Sequence, residues 1–152
     1  MENEALELAA ALCRRFEGLF LAPYLCPAGV PTIGYGSTRY PSGRRVALSD
    51  ARITREQAAA LMLHELRAVC LPAVRRLCPG ANTHGRMAAL LDFCYNIGSG
   101  NLAASTLRRR VNAGDWIAAR RELMRWTKAN GRDLRGLVLR RAAEADLFAH
   151  DV

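Results

Sequence analysis

The sequence predicts an α+β fold: a small β-hairpin or three-stranded lobe beside a larger helical lobe, with a cleft between them. Three observations carry that prediction. Ala5, Leu8, Ala9, Leu12 and Phe16 recur at helical spacing and make one apolar face. Prolines, glycines and β-formers then crowd together in "APYLCPAGVPTIGYGSTRYPSG". From Thr54 onward the apolar spacing is helical again to the end of the chain.

Each element follows from local signals. The first helix is expected to end near Gly18. Thr54 and Gln57 have the spacing of a capping box, opening a long helix over 54–72 with Ala58, Leu61, Met62, Leu66 and Val69 inward. Pro72 kinks or ends it, and Pro79-Gly80 closes the segment. Met87, Leu90, Leu91, Cys94 and Tyr95 fit a central core helix that stops at "NIGSG". A short helix is expected over 103–112. Asp115 caps another with Trp116, Ala119, Leu123 and Trp126 on one face, and a last helix spans about Leu134 to Phe148. The expected organisation is a single domain over 1–152, with a β-lobe at about 20–50 and a helical lobe at about 52–150 joined by the N-terminal helix.

The bulk properties narrow the function. With 22 Lys and Arg against 14 Asp and Glu, the formal charge is +8. That predicts attraction to polyanions, whether nucleic acid, anionic lipid or an acidic wall polymer, or simply a basic solvated surface. No apolar run approaches the roughly 18 residues a bilayer crossing needs, so no stable membrane insertion is expected. The start, "MENEALELAAALCRRFEG", is acidic where a signal peptide is basic, so the chain is not expected to export itself. The five cysteines, at 13, 26, 70, 78 and 94, show neither a C-x-x-C pair nor zinc-ligand spacing, and Cys70 and Cys94 read as buried thiols.

Two motifs fail on inspection. His64-Glu65 begins an H-E-x-x-H pattern, but Ala68 stands where the second histidine belongs. The run from Gly98 to Ala103 matches a loose dinucleotide fingerprint, but it follows a helix where that fingerprint needs a strand, and it reads as a helix-terminating turn. No metal and no cofactor is implied.

One constellation remains. Glu17 is followed nine positions later by Cys26 and six further on by Thr32, which opens "TIGYG". Farther along stand "YNIGSGNLAASTLRRRVNAGDW" and "RELMRWTKANGRDLRGLVLRRAAEADLF". In this order and spacing the chain resembles the phage-type lysozymes, the muramidase endolysins of tailed phages, over nearly all of residues 5–148. The family pattern has a glutamate, then an aspartate or cysteine, then a threonine.

The resemblance implies hydrolysis of the β-1,4 bond between N-acetylmuramic acid and N-acetylglucosamine in bacterial peptidoglycan, for lysis of the host cell. Such cleavage needs an acid at the leaving oxygen and a second group on the other face of the sugar. Glu17 would be the acid, kept protonated by an apolar surround. Cys26 would act as base, water-positioning group or nucleophile, and Thr32 would hold a water. Taken alone, the same three residues read as a helix glutamate, a turn cysteine and a β-former. Cys13, one turn before Glu17, is a candidate disulfide partner for Cys26. Gly34 and Gly36 would let a sugar chain approach the backbone, or merely form turns. Tyr95, Asn96, Ser105 and Thr106 correspond to cleft-facing positions, with Tyr95 stacking on a sugar or packing the core. Arg135 and Arg141 would hold substrate carboxylates, orient Glu17, or lie on the surface.

The expected partner is peptidoglycan, met by a monomer that needs no nucleic acid. The protein would be made in the host cytoplasm and act in the periplasm, released by a holin-type factor or after removal of an N-terminal anchor. Two rivals remain: a lytic transglycosylase on a related fold, which needs only one acid, and a cationic membrane- or nucleic-acid-binding module without enzymatic activity.

Overall fold

The computed structural model describes residues 1–150. Helix α1 (Glu2–Phe16) carries Glu2 and Glu4 in its first turn and Arg14 and Arg15 in its last, each suited to the helix dipole. It ends because Glu17 turns extended (φ −86°, ψ 139°), its N–H still bonded to the Cys13 carbonyl at 2.8 Å. The buried face consists of Ala5, Leu6, Ala9, Ala10, Leu12 and Cys13, with Leu8 only partly buried at its margin. That face is rotated from the expected one, because small residues and Cys13 bring α1 against the centre of the molecule.

Strands β1 (Phe20–Leu25) and β2 (Pro31–Gly34) pair antiparallel, with Tyr24 opposite Thr32. The turn between them is closed by the Gly29 N–H on the Cys26 carbonyl at 2.8 Å, with Gly29 at φ 75°. Beyond β2 only single bridges, Ile33–Ser37 and Arg39–Arg45, extend the pairing. The β-lobe is therefore a two-stranded hairpin with a bridged loop.

Helix α2 (Arg55–Glu65) has both halves of its capping box, between Thr54 and Gln57. The helical path then widens into a π-turn over Leu66–Cys70 and resumes as α3 (Leu71–Leu77). Pro72 lies in the first turn of α3, where its missing N–H is tolerated, so it does not end the path at 72. The π-turn adds a residue and shifts the phase. Cys70 takes the inward place expected of Val69, which is 57% exposed.

Helix α4 (His84–Ile97), capped by Thr83, is buried nearly all round between α1 and α8 (Arg135–Ala149). Gly98, at φ 95°, stops it. The expected helix over 103–112 is two: α5 (Ser99–Ala104) and α6 (Thr106–Asn112), broken where Ser105 turns extended to cap α6. Asp115 caps α7 (Trp116–Leu123) by accepting from Ala118 N–H at 3.1 Å. Between α7 and α8 lies a small hairpin, β3 (Lys128–Ala129) and β4 (Arg132–Asp133). Its Asn130-Gly131 turn has both φ values positive, 52° and 76°. Asn-Gly is a strong hairpin signal that the sequence reading passed over.

Candidate active site

Glu17 sits at the junction of α1 and β1, and its surroundings are ionic where an apolar pocket was expected. Its Oε1 accepts from Arg140 Nη1 at 2.7 Å. Its Oε2 faces Gly36, where an added Cβ would stand 3.4 Å from that oxygen. Gly36 is at φ 87°, so a side chain there would be strained as well as crowded against the acid. Phe20, close to Glu17 in sequence, stacks on Tyr24 with ring centroids 4.0 Å apart and is exposed.

Arg140 is the residue the sequence reading missed by one position. It is 3% exposed, and its Nε and Nη2 grip Asp92 at 2.9 and 2.7 Å while Nη1 reaches Glu17. Asp92, itself fully buried, also accepts from the Cys13 thiol at 3.2 Å. Arg141, one of the two arginines singled out, points elsewhere: it donates to Asn96 Oδ1 and pairs with Glu144 at 3.2 Å. Arg135 is exposed at the start of α8. Cys13 is thus engaged with Asp92 and not with Cys26; both are free thiols.

The second group of residues gathers at the β-turn. Cys26 is half-buried, and its thiol lies below the ordinary range. Hydrogen bonding from the backbone at Val30 is the main cause, opposed by partial desolvation and aided by the Ala28 backbone and the Thr32 hydroxyl. Thr32 is buried, and its hydroxyl donates to the Val30 carbonyl at 2.8 Å. Its single proton serves the carbonyl or the sulfur, one at a time. Tyr24, across the hairpin from Thr32, feels both centres: burial first, then the charges of Cys26 and Glu17, push its phenol up.

The remaining expected contacts divide. Gly34 (φ 68°) makes its close approach to α2, with a Cβ position 3.3 Å from Ala58 Cβ, rather than to an open face. Tyr95 donates its hydroxyl to the Tyr35 carbonyl at 2.6 Å, tying α4 to the peptide just before Gly36. Burial is the main reason its phenol is raised. Asn96 is spent on Arg141. Ser105 is buried, donating to the Leu102 carbonyl and accepting from Arg108 N–H as the cap of α6. Thr106 accepts from Arg109 Nη2 at 2.9 Å and shares a shallow pocket of about 260 Å³ with Arg109 and Arg110. Among the described residues, no hydrogen bond joins Ser105 or Thr106 to Glu17, Cys26 or Thr32.

A further acid, Glu65, adjoins the site. Glu65, at the end of α2, lines a groove of about 340 Å³ with Thr38, Arg39, Tyr40 and His64. Its carboxyl is pushed up to about 7, by burial first and then by the charge of Glu17. Because the folded value lies above the unfolded one, its contribution to stability is complete below about 4.5 and is lost as pH rises through about 7. Glu65→Gln removes that loss. Its melting temperature relative to wild type is expected to climb between pH 4.5 and 7.5, as read by thermal unfolding at several pH values. A difference that is flat across this range would show that Glu65 is solvated like a surface acid.

Comparison with known proteins identifies the family and the fold. The sequence profile of the phage lysozyme family matches residues 14–144. An endolysin of Acyrthosiphon pisum secondary endosymbiont phage 1 is 36% identical over 146 residues, covering 93% of this chain and 95% of that protein. A SAR-endolysin of bacteriophage PS119 is 36% identical over 134 residues, covering 86% of this chain and 75% of its own length. Among solved structures, the endolysin from Escherichia coli O157:H7 phage FAHEc1 superposes with a TM-score of 0.82 at 32% identity, covering 95% of this chain and 92% of that one.

Proposed function

The chain belongs to the phage lysozyme family and is a peptidoglycan-hydrolysing endolysin, and we propose that it cleaves the β-1,4 bond between N-acetylmuramic acid and N-acetylglucosamine with Glu17, Cys26 and Thr32. The observation that carries this assignment is the division of labour at Glu17. Oε1 is held by Arg140, and Oε2 lies beside a glycine that keeps the space next to it open. Oε2 is then the oxygen that delivers a proton to the glycosidic oxygen, and the fixed guanidinium stabilises the carboxylate left behind.

On the other face of the sugar stands Cys26, whose thiol ionises more readily than an ordinary one because the turn backbone favours its charged form, and Thr32 steadies it or an attacking water. A thiol held below its ordinary range suits a two-group hydrolase better than a one-acid transglycosylase. Product analysis on purified glycan strands tests this: a reducing muramic acid end is expected, and a 1,6-anhydro end would assign the transglycosylase. The same reading has the protein made in the host cytoplasm and acting on the wall after release, as a monomer. Among the described residues, no helix is long and apolar enough to cross a membrane.

Cys26 also has a chemical signature. It is half-buried while the other four cysteines are buried, so iodoacetamide is expected to modify Cys26 first in the native protein. Clearing of permeabilised Gram-negative cells should stop with that modification, which mass spectrometry locates. Cys26→Ala should lose about 10²-fold or more in rate. Cys26→Asp should stay active and become indifferent to the reagent. Full activity with Cys26 alkylated would leave Glu17 acting without it.

A further inference from the structure

Residues 92 and 140 stand 48 positions apart, yet the Asp92 carboxylate and the Arg140 guanidinium meet edge to edge in the protein interior. A guanidinium is planar, with its nitrogens in a fixed fork. Once Nε and Nη2 are both engaged on Asp92, the plane is fixed and Nη1 has one direction left. That direction is Glu17 Oε1, at 2.7 Å. Arg140 alone, on a flexible stem, has no such constraint.

Asp92 is fixed in turn. The Cys13 thiol donates to its Oδ1 from α1. Arg141 pairs with Glu144 on the far side and is itself held by Asn96 of α4. The groups facing Arg140 are therefore Cys13 and Glu17 from α1 and its end, Asp92 from α4, and Glu144 and Arg141 from its own helix. Burial pushes the Glu144 carboxyl well above the usual carboxylate value, opposed by the charge of Arg141.

We propose that Asp92 is a positioning residue for glycosidic cleavage, aiming Arg140 so that Oε1 of Glu17 is held and Oε2 is left to deliver the proton. The proposal rests on Glu17 being the acid. Asp92 touches no substrate; it acts through Arg140. Its negative charge also offsets the positive field of Arg140 at Glu17.

Asp92→Asn replaces one acceptor oxygen by a donor that faces an Arg140 donor, and so frees the guanidinium edge. On soluble peptidoglycan strands, kcat is expected to fall about 10- to 100-fold with KM changed less than twofold, since small misplacements cost this much. The alkaline limb of the kcat/KM profile should move to lower pH, because Arg140 then acts on the acid with its charge unbalanced. Loss of stability alone moves neither the limb nor kcat per folded molecule. Arg140→Lys gives the same reading if the asparagine variant does not fold. Its ammonium lacks the fixed fork by which the guanidinium grips Asp92 and aims at Glu17, so the same fall in kcat and shift of the limb are expected. Wild-type kcat and pH profile in whichever variant folds, with Glu17→Gln inactive, overturn the role of Asp92 and leave the acid standing. An active Glu17→Gln overturns the acid itself.

Discussion

Glu17→Gln is expected to fold and to lose about 10²- to 10⁴-fold of its wall-clearing rate, the contribution of a positioned proton donor. Glutamine keeps the shape and can still accept from Arg140 Nη1, but it has no proton to give. The structure changes what this substitution does to stability. Read from sequence, Glu17 is an exposed helix-end acid whose amide swap is worth less than about 0.5 kcal/mol. In the fold it is an ion-pair partner of a buried guanidinium. Arg140 keeps both bonds to Asp92 in the variant, so the cost stays well short of that for an orphaned charge. Turbidity clearing of permeabilised cells beside a thermal unfolding curve separates the two effects. More than a tenth of wild-type clearing in the folded variant would remove Glu17 as the acid.

Arg140→Met should be the most destabilising change near the site. Methionine fills much of the same volume but leaves Asp92, with no exposure at all, without its cation. Removing one partner of a buried ion pair costs about 3–5 kcal/mol. At this chain length that corresponds to a fall in melting temperature of roughly 6–20 °C. The penalty should depend on pH in a set direction. In the wild type the Asp92 carboxyl is lowered despite desolvation, by the hydrogen bonds and charge of Arg140 together with Glu144 and Cys13. Its contribution is therefore present above its unfolded value of about 3.8 and is lost as pH falls through the lower folded one. In the variant Asp92 takes up a proton more readily, so the gap from wild type should narrow as the solution is made acidic. A small gap that does not change with pH would mean that the buried pair is offset by its own desolvation.

Most of the elements were legible because they are local. Capping by Thr54–Gln57 and Asp115, the stop at Gly98 and the apolar periodicity of α4 are decided within a few residues of one another. Two local signals were present and passed over: Asn130-Gly131 as a hairpin turn, and Ser105 as a cap dividing α5 from α6. The π-turn at Leu66–Cys70 leaves no such trace. It lets α2 and α3 each present an apolar face to the same core, a demand set by their partners.

By itself the sequence determined the α+β class and the order of most helices, and its resemblance to the phage-type lysozymes pointed to the triplet Glu17, Cys26 and Thr32. The tertiary structure alone decided what holds that triplet. "RR" at 140–141 does not say which arginine faces inward, since neighbours on a helix point about 100° apart and the choice depends on the crossing of α8 over α4. The hint lay in "MAALLDFCYN": a lone aspartate in an otherwise apolar helix must find a cation or a proton when buried. It finds Arg140, and the same guanidinium meets Glu17, 123 positions away from it. Desolvated charges select their partners through space, so pairs at such separations exist only once the helices have packed.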